Sequence, residues 1–293
     1  MKNLIVLSFL LAVVLGSCKK DSNVPTPLPI TANEILKQVI TLDASQSAPN
    51  DTLAITDFSY DNLNRCIQIT YRQKQYPFTG YIYNYYNGSD TVIVSRKIYN
   101  VDLNSSNNQD SIREFFTYAS DGQMLSDSII EYGTGIPNHS NYKYQVSNNL
   151  VLTTITDDGQ PFMQGRHHLQ KDNNGNLVSE IDSGFIYVAG SGYALQATGN
   201  INITYDNYNS PVYKLYPKRV IEMDFENVPA SSESPLAQKN NITSANYSST
   251  QSGTTNQSSF SSSYIYNSSG FPSAMIVTDN LNALTNKVIY IYQ

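Results

Sequence analysis

From Ile35 onward, apolar and polar residues alternate in short runs, and an apolar stripe at helical spacing is almost nowhere found. Each run ends in a cluster of Asn, Asp or Gly with a Tyr just ahead of it, and another alternating run follows. Phe58-Ser-Tyr60-Asp61-Asn62-Leu63-Asn64-Arg65-Cys66-Ile67-Gln68-Ile69-Thr70-Tyr71 is the clearest unit. Comparable units turn at Asn87-Gly88, Asp121-Gly122, Asn148-Asn149, Asp172 to Asn176, Asp206 to Pro211 and Asn267 to Gly270. A period of two puts alternate side chains on opposite faces of a strand. Asn, Asp and Gly reach positive φ at little cost, as tight hairpins require. The pattern predicts an all-β domain, a large curved antiparallel meander of about 12 to 16 strands. A sheet that long must curl, split or close. The expectation is therefore a soluble barrel-like sheet, with a plain β-sandwich as the alternative. One tyrosine per hairpin (Tyr60, Tyr83, Tyr118, Tyr144, Tyr205, Tyr266) is expected half-buried as a folding anchor. The Ser/Asn/Gln-rich region 229–262 is expected to be loop in part, notably at Ser231–Pro235 and Ser248–Ser259.

A membrane-spanning barrel is not expected. Lipid-facing strands need about 10 residues of apolar alternation, whereas many outward sets here would be Thr, Asn, Ser and Gln. The chain ends Tyr290-Ile-Tyr292-Gln293, without the terminal aromatic usual in outer-membrane barrels.

The first 17 residues differ from the rest. Met-Lys-Asn precedes an apolar run from Leu4 to Leu15 and then Gly16-Ser17, the layout of a signal peptide. The run falls short of the roughly 20 apolar residues a spanning helix needs. Leu15-Gly16-Ser17-Cys18 resembles a bacterial lipobox, which implies cleavage before Cys18 and lipidation of that residue. Two or more acyl chains anchor a protein stably. Pro25, Pro27 and Pro29 then mark an extended tether, at about 3.1 Å per residue. The expected organisation is a signal peptide at 1–17, a lipidated tether at 18–32 and one all-β domain at 33–293.

Composition narrows the function classes. Of the 293 residues only 14% are charged, the net charge is −6, and no Lys/Arg run exceeds two residues. A phosphate backbone calls for clustered cations, so no nucleic-acid partner is expected. With 23 Tyr and 10 Phe, the chain has the apolar area to fold. After maturation Cys66 is the one thiol left, and its alternating run makes it a buried structural cysteine rather than a nucleophile.

Motifs that carry chemistry are scarce. His139, His167 and His168 are the only histidines. Adjacent strand residues face opposite ways, so His167 and His168 do not share an ion, and no metal site is expected. Asp172-x-Asn174-Gly175-Asn176 has a glycine at position 4 instead of 6, which makes a hairpin turn rather than a calcium loop. Asp157-Asp158-Gly159 reads as a turn, and Gly190-Ser-Gly192 lacks the strand–helix context of a nucleotide loop. No catalytic residue and no cofactor are assigned. Four sites resemble the Asp-Ser/Thr-aliphatic pattern of Bacteroidota O-glycosylation: Thr52, Thr91, Ser111 and Ser128.

Tyr60-Asp61-x3-Arg65, with Ile67 and Ile69 following, resembles the YD-type hairpin repeat. With the lipobox, the chain resembles a family of uncharacterised Bacteroidota lipoproteins built from such hairpins and described as having a porin-like fold. Tyr205-Asp206 through Asn209-Ser210-Pro211, Lys239-Asn240-Asn241-Ile242-Thr243 and Tyr266 through Gly270-Phe271-Pro272 carry the likeness over residues 33–293, although Ser210 interrupts the family's Asn-Pro step. The resemblance implies no activity. The expected function is that of a lipid-anchored, non-catalytic binding or scaffolding module of the outer membrane, on its periplasmic face or at the cell surface. Its partners would be the membrane, through the anchor, and a glycan or another envelope protein. The alternative is a glycan hydrolase whose carboxylate pair the sequence does not reveal.

Overall fold

The structure, a computed structural model, describes residues 34–44, 51–74, 78–102, 109–132, 138–213, 215, 238–281 and 284–293. The signal peptide, Cys18 and the tether lie outside these residues, as does Ser231–Pro235. Sixteen strands follow in chain order. They begin with β1 (Leu36–Asp43), β2 (Asp51–Tyr60), β3 (Cys66–Gln73), β4 (Phe78–Tyr86), β5 (Ile93–Asp102) and β6 (Gln109–Tyr118). β7 (Met124–Tyr132), β8 (Asn138–Ser147), β9 (Leu150–Asp157), β10 (Gln160–Lys171) and β11 (Leu177–Val188) come next. β12 (Gly192–Asn209), β13 (Asn240–Gln251), β14 (Thr254–Tyr266), β15 (Pro272–Asp279) and β16 (Leu284–Tyr292) complete the chain. Each strand pairs antiparallel with the next, and β16 pairs with β1, so the meander closes into a barrel. Closure leaves no unpaired edge, which settles the choice between barrel and sandwich.

The alternation read from the sequence becomes an inside and an outside. Along β12, Ala197, Ile201 and Ile203 are buried while Thr198, Asn200, Asn202 and Thr204 are exposed. The register carries the same parity into β13 and β14. There Asn246, Ser248 and Thr250, then Gln257, Ser259, Ser261 and Ser263, form the outer face. This corrects the loop expected at Ser248–Ser259, which is strand apart from a tight turn at Ser252-Gly253. Serine and threonine serve as outward strand residues when the ladder satisfies the backbone, and Thr250 and Thr255 also share a cross-strand hydroxyl bond of 2.9 Å.

Apolar side chains concentrate at one end of the barrel. Ile93, Phe116, Met124, Tyr144, Val151, Leu169 and Leu177 form a ribbon along β5 to β11. Leu36, Phe58, Cys66 and Ile69 continue it along β1 to β3. The connection leaving β12 reaches this second group: Leu215 is buried against it and Val212 packs beside it. β12 and β3 stand nearly opposite in the ring, so Val212 and Leu215 pack against strands far from the one they follow. Cys66 is buried there as expected, and burial pushes its thiol up to about 12.

Tyrosine hydroxyls tie the rim. Tyr60 donates to the Leu36 carbonyl at 2.6 Å, Tyr86 to Cys66 at 2.9 Å, and Tyr118 to Ile93 at 2.9 Å. Tyr205 donates to Leu177 at 2.6 Å, Tyr264 to Ile242 at 2.8 Å and Tyr292 to Pro272 at 2.7 Å. In every case the last turn of an even-numbered strand is latched to the first residues of the strand before it. Tyr60, Tyr118 and Tyr205 are thus the anchors expected, and Tyr144 is buried in the ribbon. Two assignments are corrected. Tyr83 points outward, and the latch of β4 is Tyr86, which shares the inner face with buried Asn84. At β14 the latch is Tyr264, while Tyr266 bonds Asp206 and stacks on Tyr208 at 3.9 Å.

Asp and Asn side chains shape the turns below the latches. Asp61 Oδ1 accepts from the Leu63 and Arg65 amides, and Asp172 Oδ1 from Asn174 and Asn176. Asn267 Oδ1 accepts from Ser269 and Phe271. The fourth residue of each turn has positive φ: Asn64, Gly175 and Gly270. At Asp172 the side chain that a calcium loop would turn to an ion is consumed by its own backbone.

Candidate functional site

The outer face of β4 to β6 is unlike the polar outer wall of β12 to β14. Tyr81, Tyr83 and Tyr85 occupy alternate positions of β4, so all three point outward. Their register partners on β5 are Tyr99, Lys97 and Ser95, and β6 adds Arg113 opposite Lys97 and Phe115 opposite Ser95. Together they line an open groove of about 640 Å³. Tyr81 and Tyr83 lie nearly parallel with ring centroids 6.4 Å apart, and Tyr99 stands edge-on to Tyr83 at 6.0 Å. Lys97 Nζ is 4.1 Å from the Tyr99 ring centre, and the Arg113 guanidinium is 5.4 Å from that of Tyr132. Tyr85 and Phe115 keep half or nearly half of their surface exposed, at 50% and 44%. Among the described residues no Asp or Glu lines the groove, although the chain as a whole is acidic. Ring faces and two cations therefore offer stacking and charge to a flat, anionic ligand.

The inner face behind the groove is built differently. Arg96, one residue from Lys97, points inward and pairs with Glu114, both side chains being buried. Cation and carboxylate neutralise each other in the wall, whereas Lys97 and Arg113 outside face no carboxylate among the groove's described residues.

A second cluster lies on the inner face of β10 and β11. His167 pairs in register with Asp182, and Glu180 stands two residues along β11 on the same face. His167 Nδ1 is 2.6 Å from Asp182 Oδ1 and 3.1 Å from Glu180 Oε1. His167 and Glu180 are fully buried and Asp182 nearly so. Burial pulls the His167 imidazole down, but the bonds to Asp182 and Glu180 outweigh it and the net shift is upward. Burial drives the Asp182 carboxyl upward as well. The sequence reading held His167 and His168 on opposite faces, and they are: His168 is exposed. What it missed was Glu180-x-Asp182, whose spacing puts both carboxylates on one strand face. Only the register shows which histidine they meet.

The modification sites named from the sequence are scattered. Thr91 is exposed in the turn after Asp90, and Thr52 is the second residue of β2. Ser111 faces outward between Tyr99 and Tyr132. Ser128 donates to Asn141 Oδ1 at 2.8 Å. His139 is exposed on β8, away from the other histidines in sequence and register.

Fold and groove together define a closed sixteen-strand barrel with an aromatic, cationic outer face. No family model matches the chain, and no curated protein does. Among solved structures it is similar to a porin-like protein from Bacteroides vulgatus, with 12% identity and a TM-score of 0.44 over 89% of this chain and 99% of that one. It is also similar to a porin-like protein from Bacteroides uniformis, with 10% identity and a TM-score of 0.35 over 88% and 98%. Both likenesses are remote, and neither speaks to a ligand or an anchor.

Proposed function

We propose that the chain is a lipid-anchored, non-catalytic binding protein of the cell envelope whose β4–β6 groove takes an acidic saccharide. The observation that carries this is the groove itself. Four tyrosines, a phenylalanine, a lysine and an arginine converge there without a carboxylate, on a chain of net charge −6. Tyrosine rings stack on sugar rings, and cations select for uronate or sulfate groups. A hydrolase requires two carboxylates about 5 to 9.5 Å apart across the bound sugar, and the groove's lining offers none, so the binding reading is favoured.

The rest of the chain fits this role. Lipidated Cys18 and the proline tether would hold the barrel off the outer membrane, on its periplasmic face or at the cell surface. The Thr/Asn/Ser outer wall of β12–β14 suits water rather than acyl chains. O-glycans at Thr52 or Thr91 would add bulk and solubility, whereas at Ser111 or Ser128 they would stand beside Tyr99 and Phe115 at the edge of the groove. The decisive experiment is affinity electrophoresis in gels containing polygalacturonate or uncharged dextran. Retardation by polygalacturonate alone, lost in the double variant Lys97→Glu/Arg113→Glu, supports the proposal. Equal mobility of both proteins in both gels would sink it.

A further inference from the structure

We propose that His167, Glu180 and Asp182 form a binding site for a divalent transition-metal cation of the zinc type, set into the inner wall of the barrel. The three side chains come from two paired strands, and their donor atoms lie within 4.8 Å of one another. One imidazole nitrogen and two carboxylates are a ligand set that zinc accepts. Bonds of about 2.0 to 2.2 Å in a tetrahedral site put neighbouring ligand atoms about 3.3 Å apart. The present separations from His167 Nδ1, 2.6 and 3.1 Å, would open by about 0.7 and 0.2 Å to reach that spacing.

Charge argues the same way. Two carboxylates and an imidazole share one buried position. With both carboxylates ionised the cluster is net negative even when His167 is protonated, a costly condition in a buried site. A divalent ion with neutral His167 and two carboxylates sums to zero. Its entry displaces the Nδ1 proton to solvent, so each ion bound releases a proton if His167 starts as imidazolium.

Two further observations point to an absent ligand. Asp182 Oδ2 is buried and accepts no hydrogen bond among the described residues, so the carboxylate has a second oxygen to offer. Thr153, 1% exposed and diagonal to His167 on the same inner face, has a buried hydroxyl with no hydrogen-bond partner among the described residues. There is also room in the wall. Gly165 faces Gly184 across β10 and β11, and Gly199 stands opposite Asp182 on β12, so three inner-face positions around the cluster carry no side chain.

The test uses the full mature chain, freed of metal by a chelator and titrated with Zn²⁺ and Co²⁺. One equivalent of Zn²⁺ should raise the melting temperature, and one of Co²⁺ should give the visible absorption of a four-coordinate ion. Failure of both in the wild-type chain overturns the proposal. His167→Gln and Asp182→Asn keep the side-chain volumes, and in folded protein each should weaken binding about 100-fold or more, at or beyond the loss known for an outer-shell partner. His139→Ala and His168→Ala should bind as wild type does. Retained Co²⁺ absorption in folded His167→Gln, or its loss in His139→Ala or His168→Ala, would equally overturn the assignment. Should His167→Gln not fold, the wild-type titrations and Asp182→Asn still decide.

Discussion

Strands β4 to β6 carry tyrosines and cations on both faces, and the two sets have opposite fates. Inside, Tyr86 and Tyr118 spend their hydroxyls on backbone carbonyls of the preceding strand, and Arg96 spends its charge on Glu114. Outside, Tyr81, Tyr83 and Tyr85 keep ring faces open, and Lys97 and Arg113 face one another across the register without a carboxylate in the groove. Residue type does not separate structure from binding here; strand parity does. A tyrosine with its hydroxyl satisfied and its ring covered holds the fold. A tyrosine with neither condition met is surface held ready for a ligand.

That contrast breaks first at Arg96. Arg96→Ala leaves Glu114 buried without its guanidinium and should cost about 3 to 5 kcal/mol, read from urea melts. A loss as small as that of Lys97→Ala would mean that the inner face is as wet as the outer one. Tyr118→Ala comes next, at about 3 kcal/mol, since a partly covered ring loses less than the most deeply buried aromatics. Tyr118→Phe isolates the latch by leaving the Ile93 carbonyl unpaired, at about 1 to 2 kcal/mol. If Phe at this position melts like wild type, the hydroxyl bond is incidental and only ring packing anchors the rim.

Alkali probes the inner set without mutation. The phenols of Tyr86, Tyr118, Tyr264, Tyr290 and Tyr292 are all raised in the fold, chiefly by burial, and Cys66 is raised from 9.0 to about 12. A group with a raised folded pKa stabilises fully below its unfolded value and loses that contribution as the pH climbs above it. Stability should therefore hold to about pH 9 and fall steadily beyond, where thiol and then phenols ionise more readily in the unfolded chain. A melting temperature unchanged from pH 8 to pH 11 would contradict the buried rim. The smallest effect belongs to the outer set. Tyr83→Ala should change stability by less than about 0.5 kcal/mol while weakening retardation by polygalacturonate. A large stability loss there would move Tyr83 back among the anchors.

Much of the rim was legible in the sequence because a turn is a local object. Asp61 and Asp172 bond amides two and four residues ahead, and Asn64 and Gly175 take the positive φ that such turns need. The tyrosine before each turn was legible too, but not which of two. Tyr83 and Tyr86 lie on opposite faces of β4, and only the burial of Ile82 and Asn84 shows that the even positions are the inner ones. In the same way, Ser248–Ser259 looked like loop because β-propensity scores the residue and not its partners. Paired to β12 on one side and followed by β15 on the other, a Ser/Thr/Asn strand is stable with its polar side chains outward.

By itself the sequence determined the all-β class, the antiparallel hairpins, the Asx-closed turns and the buried state of Cys66, all of which depend on neighbours within a few residues. Only the tertiary structure decided the rest. Pairing of β16 with β1 brings residues from opposite ends of the chain together, and Leu215 joins the buried cluster of Leu36, Phe58, Cys66 and Ile69. Register across three strands gathers Tyr83, Lys97 and Arg113 into one groove, and across two it sets His167 between Glu180 and Asp182. A period of two says that a side chain faces one way or the other. Which residues stand beside it depends on how far each strand slides along the next, and that is fixed by closing the whole sheet at once.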